Sequence, residues 1–382
     1  MDKLTARLAK DHVLTSLEPE FKKYDIYGVG ITTLKHYDHK GLIELRDDWG
    51  IVFYVDKKRN DGVIPKEIQY GGKRFWTDVI EVPGGFSTLP LITRSNGNKV
   101  GSACARSASE PTPVVWVPEQ ECACHRSRCR PVRPGLSICD CELTACSFTG
   151  IFQDASGKIY FVTNAHCTKY IRTCNKGDLC CGRPFSQPGP YDGGNCNNDF
   201  VGKNVKASDI TQPGSTDTTL IEPAPGVTFD MTIHGAGIKL QGGKYRVPNP
   251  GEQIMKSGRT TGVTSGTVKS IHTDVDVDYG CLVRRVTDTI ITTNMGAPGD
   301  SGSVGFDQNG VWVGQLFAGS YFETVFISPE NIFKEFGILP YPFRPGGGVG
   351  GVSFDIMPPL IVGAVGGLLG GLLPKKEEEE LI

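Results

Sequence analysis

What most constrains this chain is punctuation. From residue 138 to about 340, short strand-like runs recur, such as SFTGIFQD, KIYFVTNA, STDTTLIEP, SGTVKSIHT, GCLVRRVTDTIITT, GVWVGQLFAG and ETVFIS. Turn residues separate them, and no long amphipathic helix interrupts the series. Glycine and proline (49 and 25 of 382 residues) favour many turns over long helices. Regularly spaced short strands of this kind make sandwiches or barrels, so the expected class is mainly β.

The flanks read differently. Residues 1–20 suggest a short amphipathic helix, and 21–90 hold FKKYDIYGVGITTLK, GLIELRDDWGIVFYVDKK and KRFWTDVIEVPG, the runs of a small α/β domain. Periodicity disappears over 91–137, where Ser, Pro, Arg and Cys dominate. Residues 138–344 form the main strand-rich domain, with NIFKEFGI as a short closing helix. The tail, 345–382, is Gly-rich. Its run Leu360–Leu373 is wholly apolar but only 14 residues long, short of the roughly 20 that cross a bilayer. Gly363, Gly367 and Gly371 have the small-residue spacing of packed membrane helices. A flexible sticky tail and a membrane or assembly contact through 360–373 both fit.

A net charge of −2 offers no electrostatic case for nucleic acid. The start, MDKLTARLAKDHVLTSLEPEF, has no apolar h-region, so the expectation is no secretory signal and a lean toward the cytoplasm. Cysteine pulls the other way, since 12 of 13 lie between Cys104 and Cys196. Cys122, Cys124, His125, Cys129, Cys139 and Cys141 are of the types that bind zinc, but C-x-C is not the usual knuckle spacing. Disulfides, a metal and free thiols all remain open.

One turn carries chemistry. GAPGDSGS (296–303) sets Ser301 among glycines between two strands. A serine hydroxyl needs a base, and His166 is the histidine that an apolar strand, KIYFVTNAHC, delivers into a turn. The base needs a carboxylate. Asp217 stands just ahead of the apolar TLIEP, while its rivals Asp199 and Asp209 sit in more polar surroundings.

FVTNAHC, STDTTLIEP and GAPGDSGS, in that order, resemble the three active-site segments of chymotrypsin-like (trypsin-fold) serine proteases. YGVGITTL, IVFYVDKK, IPKEI, TDVIEVPG, GRTTGVTSGTV and GQLFAGS resemble a bacterial and plant group of such proteins with a small amino-terminal domain, which includes the plant narrow-leaf protein. The resemblance implies two six-stranded barrels with a site between them, and a serine endopeptidase acting on peptide or protein without a cofactor or catalytic metal. It implies Ser301 as nucleophile, His166 as base, Asp217 as orienter, and the Gly299 and Ser301 amides as oxyanion donors. It implies that Phe317, Ala318 and Gly319 pair with extended substrate and that Met295 lies at the base of the specificity pocket, favouring an apolar or small side chain. A Cys146–Cys167 disulfide also follows from it. No Ile-Val-Gly-Gly type start lies near 138–150, so the partner of Asp300 is left open. A silent peptide-binding scaffold of the same fold and a protein that cleaves itself once are the alternatives.

Overall fold

A computed structural model describes residues 2–21, 23–37, 42–59, 63–88 and 124–343. Most of the anticipated connector and the whole of the tail, including 360–373, lie outside the described residues.

The chain begins with α1 (Lys3–Phe21), β1 (Ile26–Tyr37), β2 (Leu42–Val55), β3 (Glu67–Tyr70), β4 (Lys73–Glu81) and β5 (Phe86–Thr88). A first β region follows: β6 (Ser137–Asp140), β7 (Cys146–Ser147), β8 (Gly150–Asp154), β9 (Ile159–Thr163), a single helical turn α2 (Tyr170–Thr173), β10 (Pro184–Ser186), β11 (Phe200–Ala207) and β12 (Thr219–Pro223). A second holds β13 (Gln253–Gly258), β14 (Gly262–Asp278), β15 (Val283–Thr293), β16 (Val304–Phe306), β17 (Trp312–Gly319) and β18 (Glu323–Ile327). Helix α3 (Pro329–Phe336) and β19 (Ile338–Pro340) close it.

The second region forms the sheet β13-β16-β17-β18-β15-β14, and β14 pairs back onto β13. Six strands thus close on themselves, and β17 runs on past Gln315, the last of its residues paired with β16. The first region, joined by β19, forms an eight-stranded sheet in the order β19-β8-β9-β12-β11-β10-β6-β7, without a closing pairing among the described residues. The class is mainly β, with one closed six-stranded ring and one eight-stranded sheet where the resemblance implied two six-stranded barrels.

The amino-terminal strands are continuous with the barrel. Strand β14 is 17 residues long, and its far half pairs with β1 (Gly28↔Val275). Strands β2, β4 and β3 then extend the same sheet. One buried cluster spans the junction: Ala6, Ala9 and Val13 of α1 pack with Val29 and Phe53, and with Ile254, Ile290 and Leu316 of the barrel. Lys10, on the buried face of α1, makes an ion pair with Asp274 of β14 at 2.9 Å. A charge that deep is tolerated because it is paired.

Candidate active site

Strand β9 ends at Thr163, and a 3-10 turn, Ala165–Cys167, presents His166. Strand β12 pairs antiparallel with β9 (Thr219↔Thr163), which brings the segment just ahead of β12 alongside that turn. The Asp217 carbonyl accepts from the Ala165 amide (3.2 Å) and from Asn164 Nδ2 (2.8 Å). Its carboxylate accepts from the His166 amide at Oδ1 (2.9 Å) and meets His166 Nδ1 at Oδ2 (2.5 Å). Two backbone anchors and two side-chain contacts therefore hold the imidazole against one carboxylate.

On the other face of the ring, His166 Nε2 lies 2.8 Å from Ser301 Oγ. His166, Asp217 and Ser301 are all fully buried. The rival aspartates are committed elsewhere: Asp199 accepts from Arg128 Nε (2.8 Å), and Asp209 accepts from the Thr211 backbone and pairs with Lys176.

The turn around Ser301 depends on two glycines. Gly299 has φ +99° and Gly302 φ +88°, the left-handed region that side chains resist. A Cβ on Gly302 would meet the Ser147 carbonyl at 2.1 Å, so the turn is pressed onto the first sheet. The Ser147 amide donates to the Ser301 carbonyl (2.7 Å), and Thr149 Oγ1 donates to that of Gly302 (2.7 Å). Neither the Gly299 nor the Ser301 amide donates to an acceptor among the described residues, so both can receive a developing oxyanion.

Asp300, the residue before Ser301, is fully buried and densely held. It accepts from the Thr260 amide (2.8 Å), Thr261 Oγ1 (2.6 Å) and the Ala297 amide (3.0 Å). Lys256, also fully buried, pairs with it at 3.4 Å. Burial lowers the Lys256 pKa and the Asp300 charge opposes that shift. The partner left open by the sequence is thus an internal lysine with two threonines.

Tyr279, at the tip of the β14–β15 hairpin, packs edge-on to His166 with ring centroids 6.1 Å apart. Burial, then the Asp217 charge, pushes its phenol pKa well up, so it stays neutral. Arg284 on the same hairpin donates to Ser215 Oγ (3.0 Å) and to the Ser215 carbonyl, bracing the approach to Asp217. Neither residue carries a motif, and no sequence signal pointed to them.

Met295 is buried between β14 and β18: its amide donates to Thr324 Oγ1 (2.9 Å) and its carbonyl accepts from Thr264 Oγ1 (2.6 Å). Phe317 is fully buried in β17. Ala318 and Gly319 pair with β18 on one side and on the other with Thr88 and Ser87 of β5.

Cys146 and Cys167 form a disulfide, as do Cys141 and Cys196, Cys174 and Cys281, and Cys180 and Cys181. Cys124 and Cys129 each take part in a disulfide, and Cys139 is a free buried thiol. His125 packs on His234 instead of cysteine, with Nε2 3.0 Å from Ser257 Oγ. Cys104 and Cys122 lie outside the described residues.

Among solved structures, the chain is similar to a serine protease specific for glutamic acid, described as using a histidine triad in substrate binding. That match has 24% identity and a TM-score of 0.42, over 55% of this chain and 100% of that one. It is also similar to Cellulomonas bogoriensis chymotrypsin (22%, TM-score 0.41, 55% of this chain and 97% of that one). A third is Thermobifida fusca protease A (18%, TM-score 0.41, 55% and 99%). No protein-family model matches the chain. No curated protein matches it either.

Proposed function

We propose that this protein is a serine endopeptidase that works through an acyl-enzyme on Ser301. The observation that carries the reading is the continuous chain from Ser301 Oγ to His166 (2.8 Å) to Asp217 (2.5 Å), beside two amides without an acceptor among the described residues. A hydroxyl alone is a weak nucleophile, and an imidazole at hydrogen-bond distance can take its proton as the oxygen attacks a carbonyl. Asp217 fixes Nδ1 as the protonated nitrogen, leaving Nε2 as acceptor, and stabilises the imidazolium that forms.

The tetrahedral oxyanion would be received by the Gly299 and Ser301 amides. Losing one such donor typically costs about 3–4 kcal/mol of transition-state stabilisation. His166 then returns its proton to the leaving amine, the amine departs, and water activated by the same imidazole hydrolyses the ester. The apolar Met295 supports a preference for an apolar or small residue on the acyl side of the bond. The sequence patterns of the amino-terminal segment support a place in the narrow-leaf-protein-like group.

The test is labelling with a small fluorophosphonate, which captures only an activated serine. The wild type should be labelled at Ser301, with labelling lost in Ser301→Ala and His166→Ala. Asp217→Asn should slow turnover on the order of 10⁴-fold, the effect of misdirecting the imidazole tautomer in such a site. Folded wild-type protein that resists labelling at Ser301 would overturn the reading.

A further inference from the structure

Strand β5 is three residues long, yet it holds a distinctive position. It pairs antiparallel with the outer edge of β17 (Ala318↔Thr88, Gly319↔Ser87) and parallel with the end of β14 (Val277↔Phe86, Asp278↔Ser87). Strand β17 is the one beside the nucleophile: the Gly302 amide donates to the Leu316 carbonyl (2.8 Å), and the Leu316 amide donates to that of Ser303 (3.0 Å). Ala318 is two residues further along, about 7 Å at the usual rise of a strand. The edge that β5 covers is therefore the one nearest Ser301.

Direction matters as much as place. Along β17 the numbering falls toward Leu316 and the Ser301 turn, so the antiparallel β5 approaches that turn as its own numbering rises. A peptide whose carbonyl is to be attacked by Ser301 must dock in this polarity, with its acyl side on the edge and its carboxy-terminal direction leading to the nucleophile. An edge strand recognises such a peptide by main-chain hydrogen bonds, and those on Ala318 and Gly319 are already taken.

The segment is also anchored. Phe86 is buried and stacks edge-on with Tyr54 at 5.8 Å. The tight turn behind it is closed by a bond from the Gly85 amide to the Val82 carbonyl (2.9 Å), and the Gly84 amide donates to Asp56 Oδ1 (2.9 Å). Ser301 and His166 are fully buried, as a covered site requires.

We infer that Phe86–Thr88 is a built-in competitor for the substrate edge, so that the protein as described is self-blocked and an extended peptide must displace β5 to reach Ser301. This rests on the proteolytic reading above. Its basis is the edge, the polarity and the anchor taken together, and it makes the amino-terminal strands a brake on the barrel they extend.

Two probes separate the brake from the chemistry. A small fluorophosphonate needs only Ser301 and its partners, whereas a tripeptidyl phosphonate with apolar side chains also needs the β17 edge. Thr88→Pro removes an amide from β5, and Phe86→Leu loosens its anchor without opening a large cavity. In the full chain, Thr88→Pro should react with the peptidyl probe at least tenfold faster than wild type, and Phe86→Leu should shift in the same direction by less. Equal peptidyl rates in wild type and both variants, with all three labelled by the small probe, would overturn the brake and leave the protease reading intact. Variants that stay folded by circular dichroism yet take up neither probe would overturn both.

Discussion

At Asp300, a single buried carboxylate sets the shape of the turn that carries Ser301, and Lys256 is the only described cation bonded to it. Taking either ion out of water is costly, and the cost is offset by their attraction together with Thr261 and three backbone amides. Lys256→Met should therefore cost about 3–5 kcal/mol, the usual penalty for stranding one member of a buried pair. Urea unfolding would measure it, and fluorophosphonate labelling should slow in parallel as the Gly299 and Ser301 amides lose their frame. The double variant Lys256→Met/Asp300→Asn should lose less than the sum of the singles, because the residues share one interaction. A sum that is simply additive would mean the pair does not hold the turn. The role of Asp300 was legible as a question, since its motif demanded a partner. Lys256 was not, because nothing in QIMKSG sets that lysine apart from any other charge on a strand.

Among elements, the hairpin from β14 to β15 is the one that links regions. It carries Tyr279 over His166, braces Ser215 through Arg284, and is tied by Cys281 to Cys174 just after α2. That disulfide joins residues 107 apart, one from each β region, so it restricts the unfolded chain strongly. Replacing both cysteines by serine should lower stability by about 2–4 kcal/mol, measured by denaturant unfolding under non-reducing conditions. An unchanged midpoint would show that the two regions are held by packing alone. The strands of this hairpin were evident as alternating runs, but their length was not. Burial on both the barrel side and the β1 side is what lets β14 run 17 residues, and that depends on partners far away in the chain.

Across the whole molecule, acid should be the weak direction. Burial, with nearby Lys256 and His234, lowers His125 to about 3, and burial with Arg133 lowers His234 to about 4. Only Asp300 opposes the shift at His125 by its charge. Both imidazoles are thus neutral when folded but take up protons near pH 6.5 when unfolded. The unfolded state binds more protons between those values, so stability is fully present above about pH 6.5 and falls as pH drops toward 4. The slope should approach 1.4 kcal/mol per pH unit for each histidine. His234→Gln should flatten it, as read from urea midpoints between pH 7 and 4.5. A slope unchanged by that substitution would place the acid sensitivity elsewhere.

The mainly β class, the short amino-terminal helix and the three chemical segments around His166, Asp217 and Ser301 were set by local pattern. Each expresses a rule that acts over a few residues: turn chemistry, strand alternation, or the positive φ that glycine permits beside Ser301. Tertiary structure alone decided that residues 26–81 extend the barrel sheet, that Lys256 serves Asp300, that Tyr279 covers His166, and that Phe86–Thr88 lies on the edge of β17. Those outcomes depend on backbone hydrogen bonds and burial between segments as far as 247 residues apart, as Val275 is from Gly28. A strand edge accepts almost any extended backbone, so the side chains of Phe86, Ser87 and Thr88 hold no signature of the edge they cover.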